Sequence, residues 1–196
     1  MSKYSMIGTA RHATPEQLLD SLLSGAKESS MRHYFGCFSE NGYFLGTDAT
    51  ERWSVTQFMD FAEPFFASGD GWVYSLVAGT RHITYFPSKE APDFCTFDEM
   101  LDSKEFSKAR STGSLVYDKK NNCWLVAQVH LTFPIPNDLA HTVCNLVKKF
   151  SASDAESSAE KAAADLLADL EKELEETTID KNNMGPKKKK TGKKKK

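Results

Sequence analysis

Several features are missing from this chain, and each absence closes a class. The four cysteines, Cys37, Cys95, Cys123 and Cys144, stand far apart without a C-x-x-C pair, which argues against a zinc ribbon or a dithiol redox centre. A reduced, intracellular protein, cytoplasmic or nuclear, is the simplest expectation. No apolar run approaches the roughly 18 residues of a membrane span, and no basic start with an apolar h-region follows Met1, so neither secretion nor membrane insertion is expected. The "GDG" at 69–71 is followed by no helix with Lys-Ser/Thr and reads as a turn rather than a phosphate loop. His33 and His82 lack metal-ligand spacing. No motif calls for a cofactor or a metal, and there is no internal repeat.

Charge is plentiful but segregated. The formal net charge of -2 over 196 residues conceals a near-balanced body and a polarised end. Residues 1–150 hold 17 acids and 14 bases, too even for a nucleic-acid surface. Residues 151–180 hold ten acids against two lysines, and 187–196 hold eight lysines and no acid.

The body reads in two halves. Thr14-Pro15-Glu16-Gln17 combines an N-cap residue, a proline at the first helical position and a glutamine at the capping-box place, and Leu18, Leu19, Leu22 and Leu23 give that helix an apolar face. The pattern resumes after Ser24-Gly25 with Met31, Tyr34, Phe35 and Phe38, predicting a second helix. "NGYFLGTD" reads as a short strand. Ser54-Val55-Thr56-Gln57 starts a third helix, which Pro64 is expected to kink or divide.

After Gly71 the period changes to two. "WVYSLVAG", "RHITYFP", "FCTFDEML", "STGSLVYD" and "CWLVAQVHLTF" read as five strands, with "DKKNN" a hairpin turn between the last two. Helices followed by strands predict an α+β fold, its helices on one face of a mainly antiparallel sheet. Strict alternation in the last strand puts Trp124, Val126, Gln128, His130 and Thr132 on one face. A buried Gln128 and His130 would need partners, and Glu99 and Arg110, at the ends of neighbouring strands, are the candidates; Asp98 is the alternative to Glu99.

The succession "FLGTDATERW", "FDEML", "RSTGSLV" and "CWLVAQVHLTFPIPND" resembles the SnoaL-like branch of the nuclear transport factor 2-like superfamily, near the association domain of calcium/calmodulin-dependent kinase. The resemblance implies a cone-shaped domain over residues 12–142, its curved sheet wrapped around the N-terminal helices, usually a homodimer through the outer sheet face. It also implies that Trp53, Glu99, Arg110 and His130 sit at or near the mouth of the cone, with Tyr34 and Gln128 as further pocket candidates. Relatives in the superfamily use Asp, His or Tyr in this cavity as acid and base, but the Asp and Tyr arrangement of those enzymes is not matched here. The implied function is a pocket for a small organic ligand, an acidic one given Arg110, and the alternative is a non-catalytic dimeric scaffold. No catalytic residue is assigned.

Beyond the body, Ser153 and Glu156 form a capping box ahead of Ala163, Leu167, Leu170 and Leu174, an apolar seam on an acidic helical extension at 151–178. Residues 181–196 are too charged to bury anything and are expected to be disordered. Within them Lys187, Lys188, Lys189 and Lys190 fit a nuclear localisation signal read by an import receptor, a polyanion-binding tail or a solubilising end.

Overall fold

The structure, a computed structural model, describes residues 11–151. The chain divides into two compact units, one ending at Pro134 and one beginning at Ile135. In the first unit, helix α1 (Pro15–Lys27) begins at the expected cap: Thr14 accepts from the Gln17 N–H, while the Gln17 side chain reaches back to the Ala13 N–H. Helix α2 (Met31–Phe35) is a single short turn capped by Ser30. Phe38 does not extend it but opens strand β1 (Phe38–Leu45), because Gly36 and Cys37 end the helix and the Val126 N–H bonds to the Cys37 carbonyl.

Strand β2 (Arg52–Ser54) leads straight into α3 (Val55–Ser68), whose Ser54–Gln57 capping box is complete. Pro64 does not divide α3. It lies on the exposed side, between Ala62 and Phe66, which are buried in the core, and the helix runs on to Gly69, whose φ of 82° closes it in the left-handed region.

Five strands follow: β3 (Tyr74–Leu76), β4 (His82–Phe86), β5 (Phe94–Ser103), β6 (Ser107–Asp118) and β7 (Cys123–Thr132). They build one open sheet in the order β2-β1-β7-β6-β5-β3, with β4 on the β5 edge as well. All neighbouring pairs are antiparallel except β1 with β7, so the sheet is mixed. The helices supply Leu18, Leu19, Leu22, Phe35, Phe58 and Phe66 to a core closed on the sheet side by Phe97, Leu115, Trp124 and Val126. Phe58 is its centre: its ring stacks on Phe44 at 4.0 Å and meets Tyr34, Phe35 and Trp72 within 6 Å.

A β-bulge decides which residues face that core. Ser114 of β6 pairs with Gln128 but the next residue, Leu115, pairs with Val126, so Ala127 is an extra residue in β7. The strand therefore changes parity there. Trp124 and Val126 are buried against the helices before the bulge, and Val129 after it. Sequence alternation, carried through without the bulge, put Gln128 and His130 on the same face as Trp124; they lie on the other one.

The second unit contributes one described element, a helix over residues 137–151. It begins where Pro136 ends extended structure, with the Leu139 N–H bonded to the Pro136 carbonyl. The acidic extension expected at 151–178 and the lysine run at 181–196 lie outside the described residues, Ser151 excepted.

Gly113 makes the bulge sterically possible. A Cβ there would stand 2.1 Å from the Gln128 carbonyl oxygen and 2.9 Å from the Phe97 ring. Gly113→Ala is therefore expected to cost about 1–3 kcal/mol, as other overpacked sites do. Urea unfolding measures it, and an unchanged midpoint would contradict this reading of the bulge.

Candidate functional site

Between the inner sheet face and the helices lies a cavity of about 220 Å³. Its walls are mostly aromatic. Phe44 and Trp53 enter from β1 and β2, Phe58 and Phe61 from α3, and Trp72 and Tyr74 from the stretch leading into β3. Trp53 and Phe61 pack at 4.5 Å, and Trp53 stacks on Phe44 at 6.0 Å with 20° between planes, so the indole is a wall plate backed by other rings. Leu22, Leu23 and Ala26 of α1 close one side, and Leu101, Val129 and Leu131 form the sheet floor.

Polar groups are few. Ser111, only 5% exposed, lies on the floor opposite Leu131 in the β6–β7 register. Tyr34 and Tyr74 add phenols; burial raises the pKa of both, so both stay neutral and able to donate. The β1–β2 turn brings Gly46, Thr47 and Glu51 to the edge. Glu51 is held there by accepting from the Asp48 N–H at 3.1 Å.

Six residues were expected in this pocket from sequence. Trp53 and Tyr34 line the cavity; Gln128, His130, Arg110 and Glu99 do not. His130 pairs with Thr112, one step from the floor pair Ser111–Leu131, so it lies on the outer face; Gln128, opposite Ser114, and Arg110, opposite Thr132, share that face. The bulge at Ala127 is the reason for the first two. Arg110 is exposed by the ordinary alternation of β6, in which Ala109 and Ser111 are buried.

Glu99 does point inward and is 2% exposed, but its partner is Arg81 rather than Arg110. The Arg81 Nε donates to Glu99 Oε2 at 2.6 Å, and Nη1 donates to Asp20 Oδ1 at 2.8 Å and to the Glu16 carbonyl. The guanidinium thus ties α1 to β5. Burial pushes the Glu99 carboxyl above its usual range against the pull of Arg81. Burial alone would lower Arg81, but Glu99 and Asp20 outweigh it and raise the guanidinium. Arg81 opens the strand motif "RHITYFP", and its isolation among β-branched and aromatic residues was the available signal.

A second polar relay was also not anticipated. Ser21 Oγ lies 2.6 Å from His33 Nε2, and His33 Nδ1 lies 3.1 Å from Glu28 Oε2. The order resembles a hydrolytic triad, yet none of the three lines the cavity. It acts as a clasp between α1 and α2.

A family model described as SnoaL-like domain matches residues 16–136, more than half of the chain. The chain belongs to the SnoaL-like domain family. The fold of this SnoaL-like chain is shared with a solved protein described as having a cystatin-like fold. An uncharacterised protein with a cystatin-like fold from Caulobacter vibrioides superposes with a TM-score of 0.50 at 14% identity, over 65% of this chain and 91% of that one. An NTF2-like protein of unknown function from Pseudomonas putida gives 0.48 at 8% identity over 62% and 85%. A domain of unknown function with a cystatin-like fold from Nostoc punctiforme gives 0.47 at 12% identity over 79% and 93%. At 14% identity the likeness to the Caulobacter protein is one of fold alone. No curated protein matches the chain.

The Arg81–Glu99 pair makes a test with a definite sign. Arg81→Met strands a buried carboxylate and is expected to cost about 3–5 kcal/mol at neutral pH. A carboxyl whose folded pKa lies above its unfolded value binds its proton more tightly in the fold, so its contribution to stability rises as pH falls through the folded value and levels off below the unfolded one. The loss in Arg81→Met should therefore shrink on acidification, and Arg81→Met/Glu99→Leu should recover most of it. Urea unfolding at several pH values measures this; a loss independent of pH would mean that Glu99 is not the stranded group.

Proposed function

We propose that this SnoaL-like domain binds a small, neutral, largely aromatic molecule in the cavity on the inner sheet face. The observation that carries the proposal is the lining itself: stacked aromatic walls, a few neutral hydrogen-bonding groups (Ser111, Tyr34 and Tyr74) and, among the described residues, no Lys, Arg or His. An acidic ligand was expected from Arg110, and it loses its support with Arg110 on the outer face. About 220 Å³ suits one or two fused rings rather than a large polycycle. Among the described residues the only charged one in the lining is Glu51 at the edge, which would disfavour an anion further.

A second reading concerns the outer face. Phe86 and Phe94 stack there at 4.9 Å and are 39% and 41% exposed, and Tyr43 is 37% exposed on the same side of the sheet. These rings favour a homodimer through that face, with the domain serving as a scaffold. Sedimentation of Phe94→Glu tests it: a shift from dimer to monomer is expected, and a wild-type monomer would end the idea. Lys187 to Lys190 lie outside the described residues. Their proposed role as a nuclear address is tested by fusing residues 181–196 to a fluorescent protein, where a uniformly distributed reporter would remove it.

For the cavity, 2-naphthol is a suitable probe, since Trp53 and Trp72 line the site and report on it by quenching. Naphthol is expected to bind and 2-naphthoate to bind at least about tenfold more weakly, a difference of roughly 1.4 kcal/mol. Ser111→Val should weaken naphthol by about two- to tenfold, as the loss of one neutral hydrogen bond does. Tighter binding of the carboxylate would overturn the proposal.

A further inference from the structure

A second, larger groove of about 610 Å³ opens on the first unit, away from the cavity floor. Its residues come from the start of α1, from β4 and the loop after it, and from the β6–β7 hairpin, which backbone hydrogen bonds hold together. The cap and first turn of α1 supply Thr14, Pro15 and Glu16, and the segment before them is fixed to β7 by the bond from the Trp124 N–H to the His12 carbonyl at 2.9 Å. The loop between β4 and β5 supplies Lys89 to Asp93, and is fixed by Asp93 N–H to the Phe86 carbonyl and by Tyr117 N–H to the Asp93 carbonyl.

Three rings form one side of this groove. Tyr85 meets Trp124 at 6.0 Å and 71°, and Tyr117 meets Trp124 at 5.2 Å and 51°, so the two phenols stand at steep angles to one indole. The charges nearby are Glu16, Glu90 and Asp93 against Lys89 and Lys119, and Lys119 is already committed to Asp93 at 2.6 Å. The chain itself supplies a cation to these rings: the Lys89 ammonium stands 5.9 Å over the Tyr85 ring centre. An ammonium near ring faces gains from their quadrupoles, and it gains more when methylation removes its strong hydration.

We propose that this groove is a binding site, separate from the cavity, for a methylated ammonium group held against Tyr85 and Tyr117, with the buried Trp124 indole, 3% exposed, backing both rings. Glu16 and Glu90 complement its charge, and Lys89, exposed on its loop, is the resident cation that the ligand displaces. Two partly exposed phenols resting on one buried indole suit a rounded, methylated cation, which needs ring surface rather than a hydrogen-bond acceptor. The group could belong to a free small molecule or to a methylated lysine of a protein, and the two sources share the same chemistry.

The test is an NMR titration of the full chain, following the Trp124 indole N–H, with choline, with an acetylated trimethyl-lysine amide and with 3,3-dimethylbutan-1-ol, the uncharged analogue of choline. Both ammonium compounds are expected to shift the Trp124 signal, and the neutral analogue to bind about tenfold more weakly, within the range of cation–π interactions. Tighter binding of trimethyl-lysine assigns a protein source, and tighter binding of choline a free one. Tyr85→Leu should erase the preference for charge. Lys89→Ala, at an exposed position where folding is not at stake, should tighten both ammonium compounds by about twofold or more, as loss of a competing like charge does. Equal binding of the neutral analogue, no shift of Trp124, or an unchanged affinity in Lys89→Ala would overturn the proposal.

Discussion

The extra residue in β7 is the constraint on which the inner surface depends. With Ala127 unpaired, β7 buries Trp124 and Val126 under the helices and then, by reversed parity, presents Val129 and Leu131 to the cavity. A regular strand would have turned Gln128 and His130 inward, and the floor would have been polar with a demand for charged partners. The bulge also draws the β7 backbone against Gly113, so β6 carries a glycine where a side chain would collide. An apolar floor follows from this one insertion, and an apolar floor is what makes a neutral aromatic ligand the best fit.

The charged groups of the interior are kept elsewhere. Arg81 binds Glu99 and Asp20 at the junction of α1 with β5, and neither Arg81 nor Glu99 lines the cavity. The arrangement separates two tasks: an ion pair fixes the helix on the sheet, and stacked rings shape the hollow. The Nη2 of Arg81 is buried without a hydrogen-bond partner among the described residues. A buried donor without an acceptor is costly and offsets part of what the ion pairs of Arg81 contribute.

Much of the fold was legible because its signals are local. The caps at Thr14 and Ser54, the five period-two runs after Gly71 and the hairpin turn at "DKKNN" are each written in a few adjacent residues, and the α+β order follows from them. What was not legible depends on distant pairing. Ala127 carries no mark of a bulge, since neither glycine nor asparagine stands there, and only its register with Ser114 and Leu115 reveals it. The partner of Glu99 lies 18 residues earlier in the chain, across β4 and the loop into β5, so proximity of strand ends pointed to Arg110 instead. The helix over 137–151 does have a local signal, Asn137 and Asp138 after Pro136, which was absorbed into the end of the resembling stretch. For the site, the aromatic walls were visible as residue types, but a single parity error displaced every polar candidate on the last strand.

Leu131 faces the cavity and His130 faces away, and a pair of adjacent substitutions measures that directly. With 2-naphthol as probe, Leu131→Trp should fill the hollow and abolish binding, whereas His130→Trp should leave the affinity within about twofold of wild type, the bulk being on the outer face. Loss of binding in His130→Trp with retention in Leu131→Trp would contradict the bulge, the apolar floor and the ligand class together.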